Sequence, residues 1–127
     1  SLQNKADALG ISDKTLFLGV RSDVQRLYSA FDVFLLPSLY EGLGIVLIEA
    51  QASGLASFAS SDVIPEDARV SEQLTFIPLE KSPAEWAEKI LSSDLSRKNN
   101  TQADIINKGY DINSQIDSLQ KFFETEV

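Results

Sequence analysis

Apolar residues fall into two recurring patterns along the chain. Short continuous runs alternate with longer stretches whose apolar positions lie three and four residues apart. The runs are Thr15-Leu16-Phe17-Leu18, Val33-Phe34-Leu35-Leu36, the weaker Ser57-Phe58-Ala59, and Leu74-Thr75-Phe76-Ile77. Three of them stop at Gly19, Pro37 or Pro78. Runs this short and this continuous predict strands buried on both faces. Leu2, Ala6 and Leu9 sit at helical spacing ahead of Gly10, a helix stop. Ser22, with Gln25 three residues on, predicts a capping box. It opens a helix whose buried face is Val24, Leu27, Tyr28 and Phe31. A third helix runs from about Gly44 to Ser53 and ends at Gly54. Ser82-Pro83-Ala84-Glu85 places a Ser cap, a first-position Pro and a third-position Glu in order. Trp86, Ala87, Ile90 and Leu91 form the apolar face behind it. Two more helices are expected near 95–108 and 113–125, the first stopped by Gly109, with Ser92 to Gln102 as a flexible connection.

Strands alternating with helices predict an α/β fold: a Rossmann-like parallel sheet with helices on both faces. The length of 127 residues allows one core, so residues 1–127 read as one domain. The chain opens Ser1-Leu2-Gln3 and contains no Met, which predicts an excised part of a longer protein. A net charge of −8 argues against nucleic acid as a partner, because phosphate binding needs clustered cations. With no Cys there are no disulfides or thiolate metal sites, and with no His the commonest general base is gone. Chemistry is left to carboxylates, Lys, Arg, Tyr and backbone amides. No run of about 18 apolar residues and no signal peptide is present, so the expectation is a cytoplasmic protein.

The segment Pro37-Ser38-Leu39-Tyr40-Glu41-Gly42-Leu43-Gly44-Ile45-Val46-Leu47-Ile48-Glu49-Ala50 joins a strand end to a helix start through two glycines. Ligands of open α/β sheets bind beyond the carboxyl ends of strands. The first amides of a helix lack internal acceptors and the dipole favours an anion there, so this is a phosphate site made of backbone. Glu49 lies one turn in, and helical side chains lean toward the N-terminus. A carboxylate beside a phosphate site suits a diol, because it accepts two hydroxyl hydrogen bonds. A ribose meets that demand, and Glu41 on the preceding loop is placed for a second sugar. Together they outline a nucleotide-sugar. No G-x-G-x-x-G and no Gly-Lys-Ser/Thr occurs, which disfavours a dehydrogenase or a phosphate-loop enzyme.

Glu41 and Glu49, separated by seven residues, resemble the E-x7-E motif of retaining glycosyltransferases of the GT-B fold, family four or "group 1". The ordered set around them is similar too. It comprises Phe17-Leu18-Gly19-Val20, Asp32-Val33-Phe34-Leu35-Leu36-Pro37-Ser38, Glu41-Gly42-Leu43-Gly44 and Glu49-Ala50-Gln51-Ala52-Ser53-Gly54-Leu55. Ser82-Pro83-Ala84-Glu85-Trp86-Ala87 and Gly109-Tyr110-Asp111-Ile112 resemble the exopolysaccharide and capsule branch. The resemblance implies the nucleotide-sugar-binding C-terminal domain, without its first strands. It implies Glu41 as the catalytic carboxylate at the donor hexose. Gly42, Leu43, Gly44, Ile45 and Val46 would lie along sugar and phosphate, Glu49 at the ribose, and Val20 and Arg21 near the base. No cofactor and no bound metal are implied, and the donor is a nucleoside-diphosphate sugar, uridine-based. The acceptor is a glycan or lipid-linked molecule, held by an N-terminal domain, at the inner face of the membrane. Three features depart from the pattern. Leu43 stands for the commoner Phe, Ala56 for Pro, and the family's upstream basic residues have no counterpart.

Two other classes compete: a nucleotide-sugar-binding module without turnover, and an inert structural fragment. In the family's sheet two strands lie between those at Thr15–Leu18 and Val33–Leu36. Their absence predicts either direct pairing of these two in a rearranged sheet or self-association through an open edge.

Overall fold

A computed structural model describes residues 1–125, with side chains as far as Glu124. Three strands form the sheet: β1 (Val33–Leu36), β2 (Ala56–Ser60) and β3 (Leu74–Ile77). They are all parallel, in the order β1-β2-β3, with Val33 opposite Ala56 and Ser57 opposite Leu74. Among the described residues, six α-helices accompany them: α1 (Leu2–Ala8), α2 (Val24–Ala30), α3 (Ile45–Ala52), α4 (Pro83–Leu91), α5 (Gln102–Asn107) and α6 (Ile112–Thr125).

The alternation of side chains along each strand builds two apolar layers. Phe34, Leu36, Ala59, Leu74 and Phe76 meet Leu47 of α3, together with Ile64 and Ala68. Val33, Ala56, Phe58 and Ile77 meet Trp86 and Ile90 of α4. Helices therefore cover both faces, and every residue of the central strand β2 is buried. Tyr28 of α2 packs with Ala50 and Leu55, tying α2 to α3. The chain is an α/β domain of the predicted parallel, doubly covered kind.

Several local expectations change. Thr15–Leu18 is not a strand, and Leu16 is 84% exposed. A strand exists only through its partner, and β1 pairs with β2 alone. The rearranged pairing of the two runs is thus excluded. Ser22 does not cap α2; the N-cap is Asp23, and it makes no side-chain capping bond. The reason is local: Arg21 takes both Asp23 carboxylate oxygens at 2.7 Å. On α4 the capping box forms as read, but Ala87 and Leu91 are exposed. Residues 95–101 are not helical, and the polar connection is strapped down rather than loose. Arg97 donates to the carbonyls of Tyr28, Phe31 and Ser53, Thr101 to Ala52, and the Lys98 amide to Gly54.

Candidate functional site

The site begins where β1 ends. Ser60, at the carboxyl end of β2, donates its hydroxyl to the Ser38 carbonyl at 2.7 Å and fixes the loop leaving β1. Ser60 is buried, and a hydroxyl there needs that partner. The loop runs through Glu41, whose carboxylate accepts from the Ser38 hydroxyl at 3.4 Å and the Gly42 amide at 3.3 Å. Gly44 then takes a left-handed conformation, φ 71° and ψ 54°, as the N-cap of α3. Glycine adopts this without a Cβ penalty. The turn brings the Glu41 stem over Gly44, 3.6 Å from where a Cβ would stand.

No side chain caps α3. Only the Leu47 amide folds back, onto the Gly44 carbonyl at 2.8 Å. Ile45 and Val46 are exposed at the first turn, and so are Glu41 and Glu49. An uncapped helix start carries partial positive charge and leaves its first amides without intrahelical acceptors. Two exposed carboxylates, one on the loop and one on the helix, therefore flank a helix start whose amides suit an anion.

Glu49 is held by a residue that the sequence reading placed only in the core. The Tyr28 hydroxyl donates to Glu49 Oε2 at 2.9 Å and lies 3.3 Å from the Val46 carbonyl. One hydroxyl has one proton, and the shorter, charge-assisted contact takes it. Burial, then the hydrogen bond to Glu49 and the charge on it, push the Tyr28 phenol up to about 12. It stays a neutral donor at any physiological pH. Helical spacing identified Tyr28 as inward-facing; nothing in the sequence told that its oxygen would reach Glu49.

Behind the first turn, Gln51 is fully buried and fully used. Its amide nitrogen donates to the carbonyls of Leu47 and Ala68, and its oxygen accepts from the amides of Val70 and Ser71. This locks the 66–71 segment under α3. Gln51 and Ser60 were both missed as supports of the site, since polar residues in an apolar pattern carry no partner information.

The predicted residues do not all converge. Glu41, Gly42, Leu43, Gly44, Ile45, Val46 and Glu49 share the turn into α3. Val20 is fully exposed and Arg21 is engaged by Asp23, with no hydrogen bond or ion pair to the α3 turn among the described residues. Leu43 lines a recess of about 340 Å³ with Ile45, Ile48, Glu49, Ala52, Ile105 and Tyr110, so Glu49 borders a largely apolar hollow shared with α5. No helix among the described residues is long and apolar enough to cross a membrane.

Comparison with known proteins assigns this arrangement to a family. The family described as "Glycosyl transferases group 1" matches residues 1–112. EpsF of Bacillus subtilis (strain 168) is 37% identical over 89 residues, which are 70% of this chain and 23% of that protein. The UDP-Gal:alpha-D-GlcNAc-diphosphoundecaprenol alpha-1,3-galactosyltransferase of Escherichia coli is 40% identical over 53 residues, 42% of this chain and 14% of its own. The Vi polysaccharide biosynthesis protein VipC/TviE of Salmonella typhi is 47% identical over 53 residues, 42% of this chain and 9% of its own. The chain thus spans under a quarter of the length of these relatives. No solved structure matches.

Proposed function

Because the chain belongs to the group 1 glycosyl transferases, we propose that it forms the donor side of a retaining hexosyl transfer from a nucleoside-diphosphate sugar. The observation that carries this reading is the uncapped start of α3 flanked by the exposed carboxylates Glu41 and Glu49. The diphosphate sits on the first-turn amides, with Leu43, Gly44, Ile45 and Val46 along it. Glu49 accepts the ribose hydroxyls, and Glu41 accepts hydroxyls of the hexose beyond the phosphate. As the glycosidic bond breaks, negative charge grows on the departing diphosphate. Fixed amide dipoles aimed at that charge need no reorganisation, which is how such a site lowers a barrier.

The donor is uridine-based in this proposal, and no cofactor or metal takes part. The acceptor is a glycan or a lipid-linked molecule at the cytoplasmic face of the membrane, held by a part of the protein outside these residues. The names of the Escherichia coli and Salmonella typhi relatives, a diphosphoundecaprenol-directed galactosyltransferase and a polysaccharide biosynthesis protein, support that acceptor class. Residues 1–127 alone would bind donor without transferring it, since transfer requires an acceptor held in line. The exposed Leu16-Phe17-Leu18 run and the unpaired edge of β1 favour self-association of that piece.

The test is transfer by the intact protein from a panel of nucleoside-diphosphate hexoses, with nuclear magnetic resonance reading the anomer of the product. The proposal expects release of nucleoside diphosphate, a product with the donor's anomeric configuration, and a kcat/KM at least about tenfold lower for Glu41→Gln. Binding without turnover would make the protein a nucleotide-sugar-binding module instead. An inverted product would refute the retaining assignment.

A further inference from the structure

We propose that Tyr28 is the positioning residue for the donor's ribose: its hydroxyl fixes the carboxylate of Glu49 before the nucleotide arrives. The inference rests on the ribose role given to Glu49 above and adds the group that makes that role selective.

The ring of Tyr28 is 2% exposed and sits edge-on to Phe34, centroids 5.8 Å apart. Its backbone carbonyl is bonded by Arg97 at 3.0 Å, so the main chain at this position is pinned as well. A Phe would satisfy the same packing. What Phe would lack is the hydroxyl, and that hydroxyl reaches a carboxylate that is itself exposed to solvent. Water could satisfy such a carboxylate, so its fixation does nothing that burial demands. What fixation changes is freedom. An exposed Glu samples many rotamers, and a ligand that orders it loses that entropy on binding. Tyr28 occupies one side of Oε2, and no hydrogen bond among the described residues reaches Oε1. The carboxylate is therefore held from behind, with acceptor capacity left for hydroxyls in front.

The experiment compares Tyr28→Phe with wild type in the intact protein. Titrations use whichever of uridine, guanosine or adenosine diphosphate the wild type binds, and the 2′-deoxy and 3′-deoxy forms of the same nucleotide. Wild type should prefer the ribonucleotide. Tyr28→Phe should lose about tenfold in ribonucleotide affinity and little for the deoxy forms, so the preference shrinks. In turnover, KM for the donor should rise while kcat stays within about twofold. The preference is a ratio taken on one protein sample, so a lowered folded fraction leaves it unmoved. Undiminished preference in Tyr28→Phe would overturn the role of Tyr28 and leave Glu49 at the ribose. An equal loss for all the nucleotides would likewise reduce Tyr28 to packing. A wild type without preference, or without affinity for any of the three, would overturn the ribose reading and this inference with it.

Discussion

The two ends of α3 are built on opposite plans. At its start the helix leaves a left-handed glycine with no side-chain cap, and its first turn shows Ile45, Val46 and Glu49 to solvent. At its finish the carbonyls of Ala52 and Ser53 are bonded by Thr101 and Arg97, and Gly54 packs against the backbone of Lys98. One end has unused donors; the other has its acceptors filled by a strap forty-odd residues downstream. The contrast sets a fixed end and an open end within eight residues of one helix. The closed end and the buried Gln51 keep α3 in place, and that rigidity permits the open end to remain open.

Breaking the closed end should have the largest effect. Gly54 has φ +77°, and a Cβ there would overlap the Lys98 carbonyl oxygen, a backbone atom. Gly54→Ala should therefore cost about 3 kcal/mol or more of unfolding free energy, read by urea denaturation. A loss under 1 kcal/mol would mean the strap yields easily. Next in size is Gln51→Leu, which leaves the Ala68 carbonyl and the Val70 and Ser71 amides without their partner. About 2–4 kcal/mol should go, by the same measurement. The open end should be far less sensitive. Glu49→Gln should shift unfolding by no more than about 0.5 kcal/mol, because the side chain is exposed.

The smallest effect concerns α4. The Ser82 amide, then the Lys81 ammonium and the Ser82 hydroxyl, hold the Glu85 carboxyl down at about 2, from an ordinary 4.5. A carboxyl depressed by folding stabilises fully above its unfolded value, and that contribution fades as pH falls toward the folded one. Between about pH 4.5 and 2 the thermal midpoint of wild type should thus fall more than that of Glu85→Gln. Parallel falls would show that this exposed cap has no measurable pH linkage.

Where the sequence succeeded, the signal was local. The proline stops, the helix-ending glycines and the Ser82 capping box depend on residues within one turn, and they landed within a residue or two. The turn into α3 was legible for the same reason: Gly42, Gly44 and the spacing of Glu41 and Glu49 are contiguous. Failures came where the deciding partner was distant or competing. Thr15–Leu18 has the composition of a strand but no strand to bond with. Ser22 lost the cap of α2 to a neighbour whose own carboxylate was taken by Arg21. The strap at 97–101 reads as loose polar chain, because its bonds go to carbonyls, which no sequence pattern marks. Tyr28 was correctly placed on a buried face, yet its reach to Glu49 spans twenty-one residues.

The central claim is that the open end of α3 binds a nucleoside diphosphate with Glu49 on its ribose. Calorimetric titration of that nucleotide into wild type and Glu49→Gln of the intact protein tests it most directly. The account predicts affinity weaker by about 1–3 kcal/mol in Glu49→Gln, the loss of a charged hydrogen bond, with the diphosphate still bound. Equal affinity in the two proteins would contradict it.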